Sequence, residues 1–277
     1  MTHLTVRRLL IDLKQPFERR WNGGDAFRSA FLNAMSMSFP VGEQFFMDSI
    51  RKGVSALPLA ERERFAEELQ GFVGQEATHR HLHALYNAQL ASQGFVNTQE
   101  KRSLKRLERL ERMKLDPRHA VAITAATEHF TAIFAHWMLA QTFVLEGAEP
   151  RMKTLWLWHC AEETEHRNTA FDVYKAMGGN EKWRLFWFRY VTGQFMLDIL
   201  RQTLRNLWDD KALLQWRTWA SAIQLLLGRQ GLVRRCFKPW RAYFSPAFHP
   251  SKQDASLSLQ WLQENAAQFR VMERSAA

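Results

Sequence analysis

Along most of this chain apolar residues recur every three or four positions, the spacing that gathers them on one face of an α-helix. Alternation of the strand type is almost absent. The helical pattern begins at Asp25 and runs to about Val54, with Pro40 and Gly42 inside it predicting a kink or a break. Pro58 reads as the first helical residue of a second element, which opens with LAERERFAEELQGF, continues through QEATHRHLHALYNAQL and stops at Gly94. A short charged helix follows over 98–114. Asp116 and Pro117 form a cap and first-turn pair for a helix ending near Gly147, and Glu149-Pro150 open another that ends at Gly178-Gly179. Asn180 caps a long aromatic-rich helix to about Asp210; further helices are expected over roughly 212–228 and 256–272. Residues 1–24 read as an irregular arm, and so do residues 230–254, which carry Pro239, Pro246 and Pro250.

This pattern predicts one all-α domain over residues 1–277, with a core bundle at about 25–178 and a C-terminal helical extension at about 180–277. Four long helices at roughly 25–54, 58–93, 117–146 and 149–178 can pair as two antiparallel hairpins, which is a four-helix bundle.

Composition narrows the class. Of 277 residues, 46% are hydrophobic and 24% charged, as in a packed globular chain. No apolar run reaches the length of a membrane span; the nearest, 183–200, is interrupted by Arg184, Arg189 and Asp198. The N-terminus lacks the apolar core of a signal peptide, and Cys160 and Cys236 have no paired spacing, so a cytoplasmic, reducing setting is expected. The net charge of +10 is concentrated in two segments. In 99–114 leucines at 104, 107 and 110 alternate with charges, as on an exposed amphipathic helix. The segment 229–241 has five cations, no acid and no clear period, which suits a docking patch for a partner or the inner face of a membrane. Nucleic acid is not an expected partner. The aromatic residues between 183 and 219 suit core packing, or else an apolar substrate tunnel or a membrane-touching face.

Acids and histidines change the picture most. The second helix carries Glu76 and His79 in QEATH, the last bundle helix Glu163 and His166 in EETEH. In each Glu-x-x-His pair the two residues share a helix face. Glu43 in FPVGEQFF precedes Glu76 by 33 residues, and Glu128 in AATEHFTAIF precedes Glu163 by 35. Within antiparallel hairpins these near-equal gaps put each lone glutamate level with its partner motif. Exposed charges are the opposing reading, but the apolar surroundings of Glu43 and Glu128 argue against it, because an unpaired buried carboxylate is costly. Four carboxylates and two imidazoles can hold two divalent metals and offset their charge.

On these residues the chain resembles the ferritin-like di-iron superfamily. Its motifs FPVGEQFF, QEATHRHLH, TEHFTA and WHCAEETEHRNTAFDVY, with FHP at 248–250, resemble a bacterial family described as a predicted metal-dependent hydrolase, over roughly residues 25–250. The fourth bundle helix is also similar to that of the p-aminobenzoate N-oxygenases, a resemblance that gives His159 the role of an additional ligand on one iron. Helix geometry agrees: relative to His159, Glu163 lies at about +40° and His166 at about −20°. Glu162, near −60° on the same count, borders this face, and Glu165 points largely away. His83 falls on the face of Glu76 and His79, as an outer partner or a further ligand. The expected metal ligands are therefore Glu43, Glu76, His79, Glu128, His159, Glu163 and His166, with His83 and Glu162 around them.

The resemblances lead first to an O2-activating di-iron oxygenase or oxidase, with a metal-dependent hydrolase as the alternative. The N-oxygenase likeness implies a di-iron oxidoreductase, with two iron ions (manganese or a mixed pair being compatible with the same ligands), O2, an electron donor and an apolar organic substrate. The hydrolase likeness implies two metals that activate water.

Overall fold

The structure, a computed structural model, describes residues 4–272. It is all-α apart from one two-stranded ribbon. The first long helix, α1, spans Ala26–Ser55 and is capped by Asp25, whose carboxylate accepts from the Arg28 amide. Pro40 lies inside α1 without ending it. A proline donates no amide hydrogen, so the carbonyl of Ser36, four residues back, has no partner within the helix. The Asn87 Nδ2 donates to that carbonyl at 3.0 Å, and Asn97 Nδ2 donates to the next one, that of Met37, at 3.1 Å. Of the kink or break expected at Pro40 and Gly42, the break is absent: α1 runs on through both, and tertiary donors serve the Ser36 and Met37 carbonyls.

α2 spans Leu59–Ser92 and follows Pro58, which sits just before the first helical residue. α3 (Thr98–Arg112) is the charged helix expected there; its Arg102 and Arg106 reach the buried Asp198. α4 covers Pro117–Ala140, shorter than expected because residues Thr142–Leu145 tighten into a 3-10 turn. α5 covers Pro150–His166, and a separate short helix, α6, covers Thr169–Ala176. One continuous helix was expected over 149–178. It is divided at Arg167, whose guanidinium donates to the carbonyls of Thr164, Pro250 and Gln253. No proline or glycine marks this break; a contact with a segment over 80 residues away makes it.

The C-terminal part contains α7 (Glu181–Asp209), α8 (Trp216–Leu227), α9 (Leu232–Ala242) and α10 (Ser256–Glu264). Two expectations are corrected here. Residues 232–242 are helical despite Pro239, and 256–272 is not one helix: after α10 the chain extends into a strand, β2 (Phe269–Val271), antiparallel to β1 (Arg7–Leu9). The N-terminal arm is thus tied to the chain's other end. It also lies close on α2, where Cβ atoms at Gly71 and Gly74 would collide with Leu4 and Val6.

The buried apolar residues fall into two clusters. One contains Trp21, Phe31, Tyr86, Trp156 and Trp158; the other contains Ile50, Phe72, Val121, Tyr174 and Phe188. α1 and α5–α6 run from the first cluster to the second, while α2 and α4 run the opposite way. α1 packs on α2 and α4, α5 packs on α4 and α2, and α7 covers α1 and α4. The four-helix arrangement expected from the periodicity is formed, with α3 carrying the chain back along the bundle between α2 and α4. The level left between the two clusters is where the acids and histidines stand.

Candidate metal centre

Each bundle helix contributes at this middle level: Glu43 from α1, Glu76 and His79 from α2, Glu128 from α4, and His159, Glu163 and His166 from α5. All seven are buried, none more than 4% exposed. They gather as three overlapping triads, Glu43–His79–His159, Glu76–His79–Glu163 and Glu76–Glu128–His166, each with donor atoms within 4.8 Å of one another. Glu76 and His79 belong to two triads each, so the cluster is continuous.

The histidines are oriented from outside the cluster. His166 Nδ1 lies 3.0 Å from Gln75 Oε1, and the Gln75 amide is itself set by donating to Thr5 O and Glu165 Oε2. The Nδ1 of His166 must therefore be the donor, which leaves its Nε2 with a lone pair. That nitrogen faces Glu76, Glu128 and Glu163 at 3.2, 3.4 and 3.5 Å. His79 Nε2 lies 3.0 Å from Glu162 Oε2, so its Nδ1 carries the lone pair, 3.5 Å from Glu163 Oε1.

His159 is set by a longer line. Ser36 Oγ donates to Asn87 Oδ1 at 2.8 Å and accepts from His83 Nδ1 at 2.8 Å. His83 Nε2 then accepts from His159 Nδ1, again at 2.8 Å. This leaves the His159 Nε2 lone pair 2.9 Å from Glu163 Oε1, two acceptors face to face. Burial, then the neighbouring His79, holds the His159 imidazole down at about 4, so it is neutral near pH 7.

A cation would resolve this arrangement. Both oxygens of Glu43, Glu76 and Glu128, together with Glu163 Oε2, His79 Nδ1 and His166 Nε2, are buried with no hydrogen-bond partner. Such groups are otherwise rare and costly. Burial lifts Glu43 and Glu76 well above the ordinary carboxylate range, and Glu128 to about 8. Burial acts on Glu163 too, but is outweighed by the neighbouring His166 imidazole, which holds it well below that range. The donor set, nitrogen and oxygen with each imidazole backed by an outer partner, fits divalent metal ions.

Of the two surrounding residues, His83 has both ring nitrogens engaged, by Ser36 and His159. Glu162 accepts from His79 and from Arg7 Nη1 at 3.0 Å. Glu165, read as pointing away, is half-buried and held by Arg7 and Gln75. Arg7, Gln75, Ser36 and Asn87 were not singled out in the sequence. Gln75 adjoins Glu76, and Asn87 follows His83 by one helical turn, which are the only signals they offer. His129, beside Glu128, turns away to the carbonyl of Pro239.

The family model of the predicted metal-dependent hydrolases matches residues 5–254. No curated protein and no solved structure matches the chain. The chain belongs to the predicted metal-dependent hydrolase family.

Proposed function

We propose that this protein is a metal-dependent hydrolase working at a dinuclear centre. The observation that supports it most is the convergence of unpartnered carboxylate oxygens and imidazole lone pairs from four helices on one buried level. The family description supplies the reaction class.

In this reading Glu43, His79 and His159 would hold one ion and Glu128 and His166 the other, with Glu76 and Glu163 available to both. Bound divalent ions supply a nucleophilic water at neutral pH and a Lewis acid for a carbonyl or phosphoryl oxygen. The protein's own groups do the rest. Arg7 fixes Glu162, which fixes His79. Gln75 fixes His166. The line Asn87–Ser36–His83–His159 fixes the ring and tautomer of His159 and turns its Nε2 on Glu163. The apolar clusters above and below exclude bulk water, which strengthens each charge interaction at the centre.

One observation favours a second reading, oxidation of an apolar substrate by O2 with an electron donor at an iron or manganese pair. The seven residues are sealed from solvent. Two surface cavities, one lined by Arg64, Asp172 and His249 and the other by Asp25, Arg28 and Glu146, include none of them. A small apolar gas reaches such a centre more readily than a water-borne ester.

The test loads the protein separately with Fe(II), Mn(II) and Zn(II) under nitrogen and measures turnover of ester and phosphoester panels. Hydrolysis without O2, absent in Glu163→Ala, supports the hydrolase. No turnover by any metal form, with O2 uptake on aeration of the iron form alone, replaces it with the oxidase. Failure of Glu163→Ala to alter metal content sinks both.

A further inference from the structure

The surface formed by α8, α9 and the turn before α8 has no role in the centre. Residues 211–253 carry eight Lys and Arg side chains and no Asp or Glu. All eight are exposed, and among the described residues none forms an ion pair. This is the longest acid-free stretch in the sequence, and it coincides with large apolar side chains facing solvent. Leu214 is 96% exposed and Trp216 73%.

α8 is apolar on two opposite faces. At about 100° per residue, Thr218, Ala222 and Leu225 share one side, and these are its buried residues. Trp216, Trp219, Ile223 and Leu227 fall within about 80° of one another on the other side, and all four are exposed. A surface helix of a globular protein ordinarily pairs an apolar inner face with a polar outer one. On α9 the inward residues are Leu232, Cys236 and Pro239, while Val233 and Phe237 are exposed beside Arg234, Arg235 and Lys238. The platform is fastened to the bundle: Trp219 Nε1 donates to Leu213 O, and Trp137 Nε1 donates to Gln230 O. The exposed side chains therefore project from a held scaffold.

We propose that this face docks the protein on an anionic lipid surface, with Leu214, Trp216 and the outer face of α8 entering the headgroup boundary and the cations of α9 meeting lipid phosphates. The combination of exposed Trp, Leu and Phe with Lys and Arg and no acid is what interfacial binding requires. A second copy of this chain is the poorer occupant, because isologous pairing would bring the same uncompensated cations of both copies together. No helix among the described residues is long and apolar enough to cross a membrane, so the contact is peripheral. Docking of this face needs no metal at the centre, so it stands or falls separately from the hydrolase reading.

The test sediments the full chain with vesicles of phosphatidylcholine alone and with vesicles in which about one-third of the lipid is phosphatidylserine. The protein is expected to follow only the anionic vesicles and to be released by high salt. Leu214→Ser with Trp216→Ser, and separately Arg234→Glu with Arg235→Glu and Lys238→Glu, each lower the bound fraction at least about tenfold. Circular dichroism and metal content stay unchanged in both, and Leu104→Ser on the charged α3 leaves binding intact. Three results overturn the proposal: no binding to anionic vesicles, binding that survives Leu214→Ser with Trp216→Ser, or a concentration-dependent dimer in sedimentation velocity that those variants abolish.

Discussion

Nδ1 of His159 lies 2.8 Å from Nε2 of His83, and this contact decides which nitrogen of His159 meets the acids. Because Ser36 gives its proton to Asn87, His83 donates from Nδ1 and accepts at Nε2, and His159 turns its Nε2 lone pair on Glu163. Loss of His83 frees the tautomer and the ring. His83→Ala is expected to weaken metal binding about 10- to 100-fold, read by competition with a chromogenic chelator, with the helical circular dichroism kept. Unchanged affinity would show that His159 is oriented without it.

Pro40 reaches the centre through the same line. It releases the Ser36 carbonyl that anchors Asn87, and Asn87 sets the Ser36 hydroxyl. Pro40→Ala offers that carbonyl an amide within α1 and should stabilise the fold by about 1 kcal/mol, since proline is the poorest residue in a helix interior. Metal affinity should fall severalfold in the same variant. The two readouts, thermal melting and chelator competition, are expected to move in opposite directions; a fall in both would make Pro40 a matter of packing alone.

The acids divide by position. Glu128 joins only the end triad of His166, whereas Glu163 belongs to the middle triad, whose Glu76 and His79 are shared with the other two. Glu128→Ala is expected to reduce metal content from about two ions per chain to about one, and Glu163→Ala to remove nearly all of it. Elemental analysis by mass spectrometry measures both. Equal losses in the two variants would point to a single-ion site.

The metal-free protein should lose stability as pH rises from about 6.5 to about 8. Burial lifts Glu128 from 4.5 to about 8, so the folded chain holds a proton that the unfolded chain has released, and the advantage disappears as pH approaches about 8. His166 adds the same sign: burial opposes its charge, but Glu128 and Glu163 outweigh burial and raise it above 6.5. His159, held at about 4, acts the other way only below 6.5, where the unfolded ring gains a proton that the folded ring refuses. Bound divalent metal replaces the protons, so melting temperatures taken with metal should be flat or rising through this window. A metal-free melting temperature that climbs between about pH 6.5 and 8 contradicts the buried carboxylate cluster.

What could be read from the chain alone follows from local rules. Periodicity marked the bundle helices, Asp25, Asp116 and Asn180 marked their starts, and Glu-x-x-His placed each pair on one face because residues three apart always share one. The matched gaps from Glu43 to Glu76 and from Glu128 to Glu163 put all four acids at one height because the hairpins are antiparallel. Longer-range facts had no such trace. The strand pairing of Arg7–Leu9, the break at Arg167, the helix through Pro239 and the reach of Arg7 to Glu162 and Glu165 join residues far apart in sequence, and no periodicity encodes a partner on another element. Sequence by itself determined which residues stand at the centre's level. Only the tertiary structure decided which nitrogen of His79, His159 and His166 faces inward, because that depends on the hydrogen bond each ring donates at its opposite side, to Glu162, His83 and Gln75 respectively.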